Sequence, residues 1–349
     1  ANLLSESKVV SPANDTNGGF DSSWGKLNVN DWKGNVQGDY YQLTDYTGDA
    51  NHVIVPNEAD FEKAGISTSG KQVGVTSDLM KSIYRFKTTA QDATVAFSKT
   101  DNKQVKAIDN DWSNTWNAYD TNRGAKLSKF NGTNLDFSNV TDMSYMFASN
   151  QISDLSPLAN WNVSNVTDMV GMFVQNQISD LSPLVNWNVS NVTDMHAMFA
   201  SNHISDLSPL ANWKVDNVTD MDGMFDYNVT TQTKNLPAKR VINFVYPDGY
   251  IGKKQDTITQ TVDVPTKQVK VELTTKDSKP SNNILDWVIK TETPKTPDAV
   301  YFQDYMVPEI KGLLEPDKTV IAEQQADIAE PINVTVTYKL VESNTNDAF

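Results

Sequence analysis

The sequence predicts a mixed α/β chain of several domains. A stack of short repeats is expected between a β-rich N-terminal part and a strand-rich C-terminal part. Three observations predict this. The phrase Asn-Val-Thr-Asp-Met recurs at Asn139, Asn165, Asn191 and Asn217, a fixed step of 26 residues. Short alternating runs bounded by Gly, Asp and Asn fill both flanks. The length, 349 residues, suits two or three domains of about 100–200 residues each.

Each repeat can be read from its own residues. Val166, Met169, Met172 and Phe173 follow the spacing of one helical face, with Asn165 as N-cap and Asp168 able to close a capping box. A helix of about two turns is therefore expected to open each copy. Ser-Asp-Leu-Ser-Pro-Leu then suits a tight turn, and Trp187-Asn-Val189 suits a short strand. One copy cannot bury its apolar stripe alone, but stacked copies can, with Met, Phe, Trp and Val forming columns. Asn150, Asn176, Asn202 and Asn228 would form a further column that satisfies backbone groups.

The flanks are less regular. Residues 1–20 read as a polar linker. Residues 21–130 read as an N-terminal cap or lead-in domain, with strands at Tyr40–Tyr46, His52–Val55 and Val73–Val75 and short helices at Asp60–Ala64 and Ser77–Phe86. The repeats occupy 131–236. Leu236-Pro-Ala-Lys-Arg reads as a boundary, and 237–349 as a separate domain. There Ile332, Val334, Val336, Tyr338 and Leu340 alternate with polar residues, as in a half-buried strand.

Asn-Gln-Ile-Ser-Asp-Leu-Ser-Pro-Leu-Ala-Asn resembles the leucine-rich repeats of internalin-type proteins. Asn-Val-Thr-Asp-Met-x-x-Met-Phe resembles the repeat of BspA-like leucine-rich-repeat surface proteins of bacteria. These resemblances cover about residues 130–230 and imply a right-handed leucine-rich-repeat solenoid. The repeat length departs from the ordinary internalin unit. Arg240-Val-Ile-Asn-Phe, Asp248-Gly, Thr259-Gln-Thr-Val, Asp286-Trp287 and the run from Pro331 resemble the mucus-binding repeat domain of Lactobacillus surface proteins. That resemblance implies a ubiquitin-like β-grasp fold over 237–349. Asp304-Tyr305 departs from it, because a Gly-Tyr pair is usual there. Together they imply an adhesin at the bacterial cell surface or cell wall, with host mucin, mucus glycoproteins or extracellular-matrix proteins as partners.

Composition narrows the function. Acidic residues outnumber basic ones 44 to 29, for a net charge of −15, which argues against nucleic acid as a partner. No apolar run approaches the roughly 18 residues of a membrane span. There is no cysteine and there are three histidines, so thiolate chemistry and Cys-ligated metals are excluded. No nucleophile motif, phosphate loop or supported carboxylate pair occurs. The expected protein is a non-catalytic monomer without cofactor or metal. A structural spacer whose binding module lies elsewhere is the alternative, and a glycan-cleaving enzyme is a distant third. No Leu-Pro-x-Thr-Gly sorting signal occurs, so wall attachment is expected to be non-covalent or to come from residues beyond this sequence.

Surface candidates for ligand contact are Tyr145, His196, His203, Asp154, Asp180 and Asp206. The two histidines stand at variable positions of the third copy. The aspartates belong to a strongly acidic stretch, with ten Asp against Lys214 alone between Asn139 and Asp226. Turn and cap bonding is the favoured role for these aspartates, and a calcium stripe the sharper alternative.

Overall fold

The computed structural model describes residues 17–119, 124–310, 312 and 314–341. The expected linker over 1–20 lies almost wholly outside the described residues. Contacts divide the chain into two units. Unit 1 comprises Ala1–Thr230 and Val271–Thr291; unit 2 comprises Thr231–Lys270 and Glu292–Phe349. The segments 21–130 and 131–236 thus fall in unit 1, save the last few residues, and 237–349 is shared between the units.

The N-terminal part of unit 1 is built from short strands rich in Val and aromatic residues. Strands β1 (Trp32–Gln37), β2 (Tyr40–Tyr46), β4 (Gln72–Val75), β6 (Val105–Ala107) and β8 (Leu135–Asp136) form one sheet in that order. A second sheet holds β3 (His52–Val55), β5 (Ala93–Phe97) and β7 (Leu127–Asn131). Only β1–β2 is antiparallel; the other pairs run parallel. Parallel pairing with both faces covered goes with fully buried runs such as Ala93–Phe97. Helix α1 (Glu58–Lys63) starts at a capping box between Asn57 and Asp60. Helix α2 (Ser77–Phe86) is capped by Thr76 and buries Met80, Ile83 and Tyr84. Its Lys81 is half-buried and its Arg85 exposed.

The leucine-rich-repeat solenoid is not what the chain forms. The regular structure is mainly β-sheet, spread over several separate sheets, and the two α-helices among the described residues are short. Among residues 137–227 there is no extended strand and no α-helix. The regular pieces are the 3₁₀ turns Ser156–Leu158, Ser182–Leu184 and Ser208–Leu210, plus single parallel bridges joining Asp111, Asp142, Asp168, Asp194 and Asp220. The helix expected over Asn165–Phe173 fails for a local reason. Asp168 Oδ1 accepts from Val170 N in a tight Asx turn, and Gly171 adopts φ 57°. Left-handed backbone in the middle of the segment stops helix growth. Tyr145, Ala197 and Gly223 hold the equivalent left-handed position in the other copies. The expected Trp187–Val189 strand is likewise absent, although both side chains are buried.

Equivalent side chains do lie on one another. The Phe147, Phe173, Phe199 and Phe225 rings stack in series, with centroids 5.8, 5.7 and 5.8 Å apart and planes within 10°. Backbone amides reach the next copy, as in Met143 N to Asp168 O and Met169 N to Asp194 O, both 3.0 Å. Asn176 Nδ2 donates to Phe147 O and Phe173 O, while its Oδ1 accepts from Ile152 N. Asn202 and Asn228 repeat this arrangement. Each buried amide thereby satisfies several backbone groups that have no sheet to pair with.

Unit 2 is organised by three long strands, β9 (Asn228–Val245, in unit 2 from Thr231), β10 (Ile258–Thr275, in unit 2 to Lys270) and β12 (Ile332–Leu340); β9 and β12 pair in parallel from Arg240↔Ile332 to Val245↔Thr337. Residues Leu236–Arg240 lie inside β9 and do not interrupt it. Strand β11 (Leu314–Pro316) pairs antiparallel with β12. Ile242, Val307, Leu314, Ile321, Val336 and Tyr338 form a small core. No α-helix occurs among the described residues of this unit. The ubiquitin-like β-grasp expectation therefore fails with the solenoid, because no helix packs across the sheet.

Candidate functional site

The repeats spend most of their apolar side chains on one another, so the residues left at the surface define what they can contact. Tyr145 sits at a left-handed position and keeps 37 % of its surface exposed. Its ring rests on Gly171 of the next copy, where an added Cβ would collide with it. Glycine at 171 is thus required twice, by φ and by the close approach of the ring. Tyr145 lines a cleft of about 440 Å³ with Asn114, Asn117, Tyr119, Ser149 and Gln175. Tyr119 is 76 % exposed. The amides are ordered: Asn117 Nδ2 donates to Asn114 Oδ1 at 3.0 Å, and Tyr119 N donates to Asn117 Oδ1 at 2.9 Å. Asn114 and Asn117 also line an adjoining, more polar hollow of about 220 Å³ with Lys81 and Arg85 of α2.

The other sequence candidates are distributed differently. Asp154, Asp180 and Asp206 are exposed, and each Oδ1 accepts from the backbone N of Ser156, Ser182 or Ser208 at 2.9 Å. Those backbone hydrogen bonds hold the Asp180 and Asp206 carboxyls below the usual range. Asp154 lines a separate cleft with Trp24 and Lys129. His203 is exposed and its Nε2 lies 2.8 Å from Gln177 Oε1. His196 is half-buried, with Nδ1 3.8 Å from Asp220 Oδ1. His196, Asp220 and Asp222 bring ligand-capable atoms within 4.8 Å of one another, the one such group of three among the described residues. In the inner column, burial raises the Asp168 carboxyl, and Asp142, Asp194 and Asp111 add to the rise.

Sequence reasoning reached Tyr145 but missed Tyr119, Asn114, Asn117, Lys81 and Arg85. These lie before the first full copy of the repeat, so periodicity carries no signal for them. In unit 2 it missed the setting of Arg240. That side chain is fully buried and donates to Gln260 Oε1, Ala322 O and Gln303 O, each at 2.7 Å, with its guanidinium over the Phe302 ring. Unit 2 also presents an apolar cleft of about 330 Å³ lined by Met306, Ile310 and Leu314.

No helix among the described residues is long and apolar enough to cross a membrane. No curated protein matches the chain. A solved mucin-binding domain from Streptococcus pneumoniae is similar at 16 % identity, over 32 % of this chain and 98 % of its own, with a TM-score of 0.20. Residues 114–238 match a family described as a Mycoplasma protein of unknown function, DUF285. Residues 227–342 match a Muc B2-like domain.

Proposed function

We propose that the chain is a non-catalytic protein of the bacterial cell surface that binds mucin or related glycoproteins as a monomer. The observation that carries this reading is the Muc B2-like match over residues 227–342. The repeat-bearing unit supports it by presenting a cleft with two exposed tyrosines and ordered amides, groups suited to polar, ring-shaped ligands.

Charge sets the conditions. Mucin glycans are often acidic, and this chain carries −15, so long-range repulsion opposes contact at neutral pH. Retention of the intact chain on immobilised mucin is expected to be greater at about pH 4.5 than at about pH 7.4, as carboxylates protonate. Added salt is expected to strengthen retention at the higher pH by screening. Absence of retention at both values, with the chain folded, overturns the reading. It would favour the spacer alternative, which the near-complete burial of the repeated side chains also supports.

A further inference from the structure

The cleft around Tyr145 and the hollow beside α2 share Asn114 and Asn117 as a common wall. One continuous surface therefore offers tyrosine rings at one end, amides in the middle and two cations at the other. The rings are presented differently. Tyr119 is largely exposed, while Tyr145 is held against Gly171 and still lines the cleft. Tyrosine rings take the apolar C–H faces of a sugar ring, and amides take its hydroxyls. Lys81 and Arg85 are notable in a chain of −15. Asp111 lies near enough to Lys81 to be influenced by its charge, so the local field is mixed. Arg85 is exposed at the rim, and a guanidinium is chemically suited to a carboxylate or sulfate.

We propose that this surface binds an anionic pyranose, with the sugar ring against Tyr119 and Tyr145 and its carboxylate or sulfate toward Lys81 and Arg85. The inference deepens the glycoprotein-binding reading. It assigns a saccharide site to the repeat-bearing unit, apart from the Muc B2-like residues. It also answers how a strongly acidic protein could hold an acidic glycan: the attraction is local and the repulsion is diffuse.

The test is titration of the intact chain with sialyllactose, sulfated lactose and plain lactose, followed by NMR or calorimetry. At least one anionic sugar should bind more tightly than lactose, and the stronger of the two identifies the anion. Tyr119→Ala, at a largely exposed position, should weaken that binding about tenfold without altering the fold. Tyr145→Ala should do the same. A Lys81→Ala, Arg85→Ala double variant should erase the preference over lactose and its dependence on salt. Failure of both anionic sugars to bind, equal binding of lactose, or indifference to the tyrosine variants overturns the proposal. Mucin retention measured on the same chain and its variants separates the two readings. Retention of the unaltered chain on mucin without binding of either anionic sugar sinks this site alone, and sugar binding without retention sinks the mucin reading alone.

Discussion

The repeats of unit 1 and the long-stranded unit 2 reach stability by opposite routes. In the repeats, each side chain meets its own equivalent 26 residues away, so Phe stacks on Phe and Asn bonds the backbone beside the next Asn. Regular secondary structure is scarce there. Buried amides and aromatic columns carry the order that strands carry elsewhere. In unit 2, long strands supply the order, and a buried arginine is held by three neutral acceptors. The contrast teaches that a chain can trade backbone ladders for side-chain ladders when its sequence repeats.

The contrast is sharpest for Phe173→Ala. Removing a ring stacked on both sides should cost about 3–5 kcal/mol, and hydrogen exchange should rise in the copies on either side. Loss confined to residues around 173 would break the idea that the copies share one core. In unit 2, Arg240→Ala leaves Gln260 Oε1, Gln303 O and Ala322 O without their donor and should cost about 3 kcal/mol or more. Denaturant unfolding checks this; a change under about 1 kcal/mol would mean that water replaces the guanidinium.

Backbone conformation gives a smaller pair of effects. Gly171→Ala should destabilise by about 1–2 kcal/mol, from left-handed strain plus the clash with Tyr145. Ala197→Gly, at the equivalent position with φ 53°, should be neutral or stabilising by up to about 1 kcal/mol. Equal signs for the two substitutions would refute the shared turn geometry.

The smallest effect is electrostatic. Asp168 is raised by burial, so its charged form is disfavoured in the folded state. Its contribution improves as pH falls through the raised folded value toward the unfolded one. Asp180 and Asp206 are lowered, so theirs is present above the ordinary carboxylate value and lost as pH falls through the lowered one. Carboxyl titration by NMR should rank Asp168 above Asp180 and Asp206. Asp168→Asn should be neutral or slightly stabilising near pH 7, and a clear loss there would assign the carboxylate another role.

Much of the chain was legible before the fold. The strands at Tyr40–Tyr46, His52–Val55 and Ile332–Leu340 and the helix Ser77–Phe86 stand where the residues alone placed them. The local form of the repeat was not legible, because inward-facing Met169, Met172 and Phe173 satisfy a tight turn as well as a helix. The available signal was glycine at 171 and 223, the slot that must be left-handed. Leu236-Pro237 read as a break because proline removes a donor, yet a strand tolerates that where the missing N–H has no partner to lose. The tyrosine cleft and the hollow beside it join α2, the approach to the repeats and the first copies, residues that no single period connects.

Asparagine columns have an evolutionary corollary. Every internal copy offers its neighbours the contacts that they already make with one another. Duplicating or deleting a 26-residue block between Asn165 and Asn217 therefore recreates the same junction rather than demanding a new one. Gene-level expansion or contraction can change the number of copies while Tyr145 and its cleft, at the first junction, stay as they are.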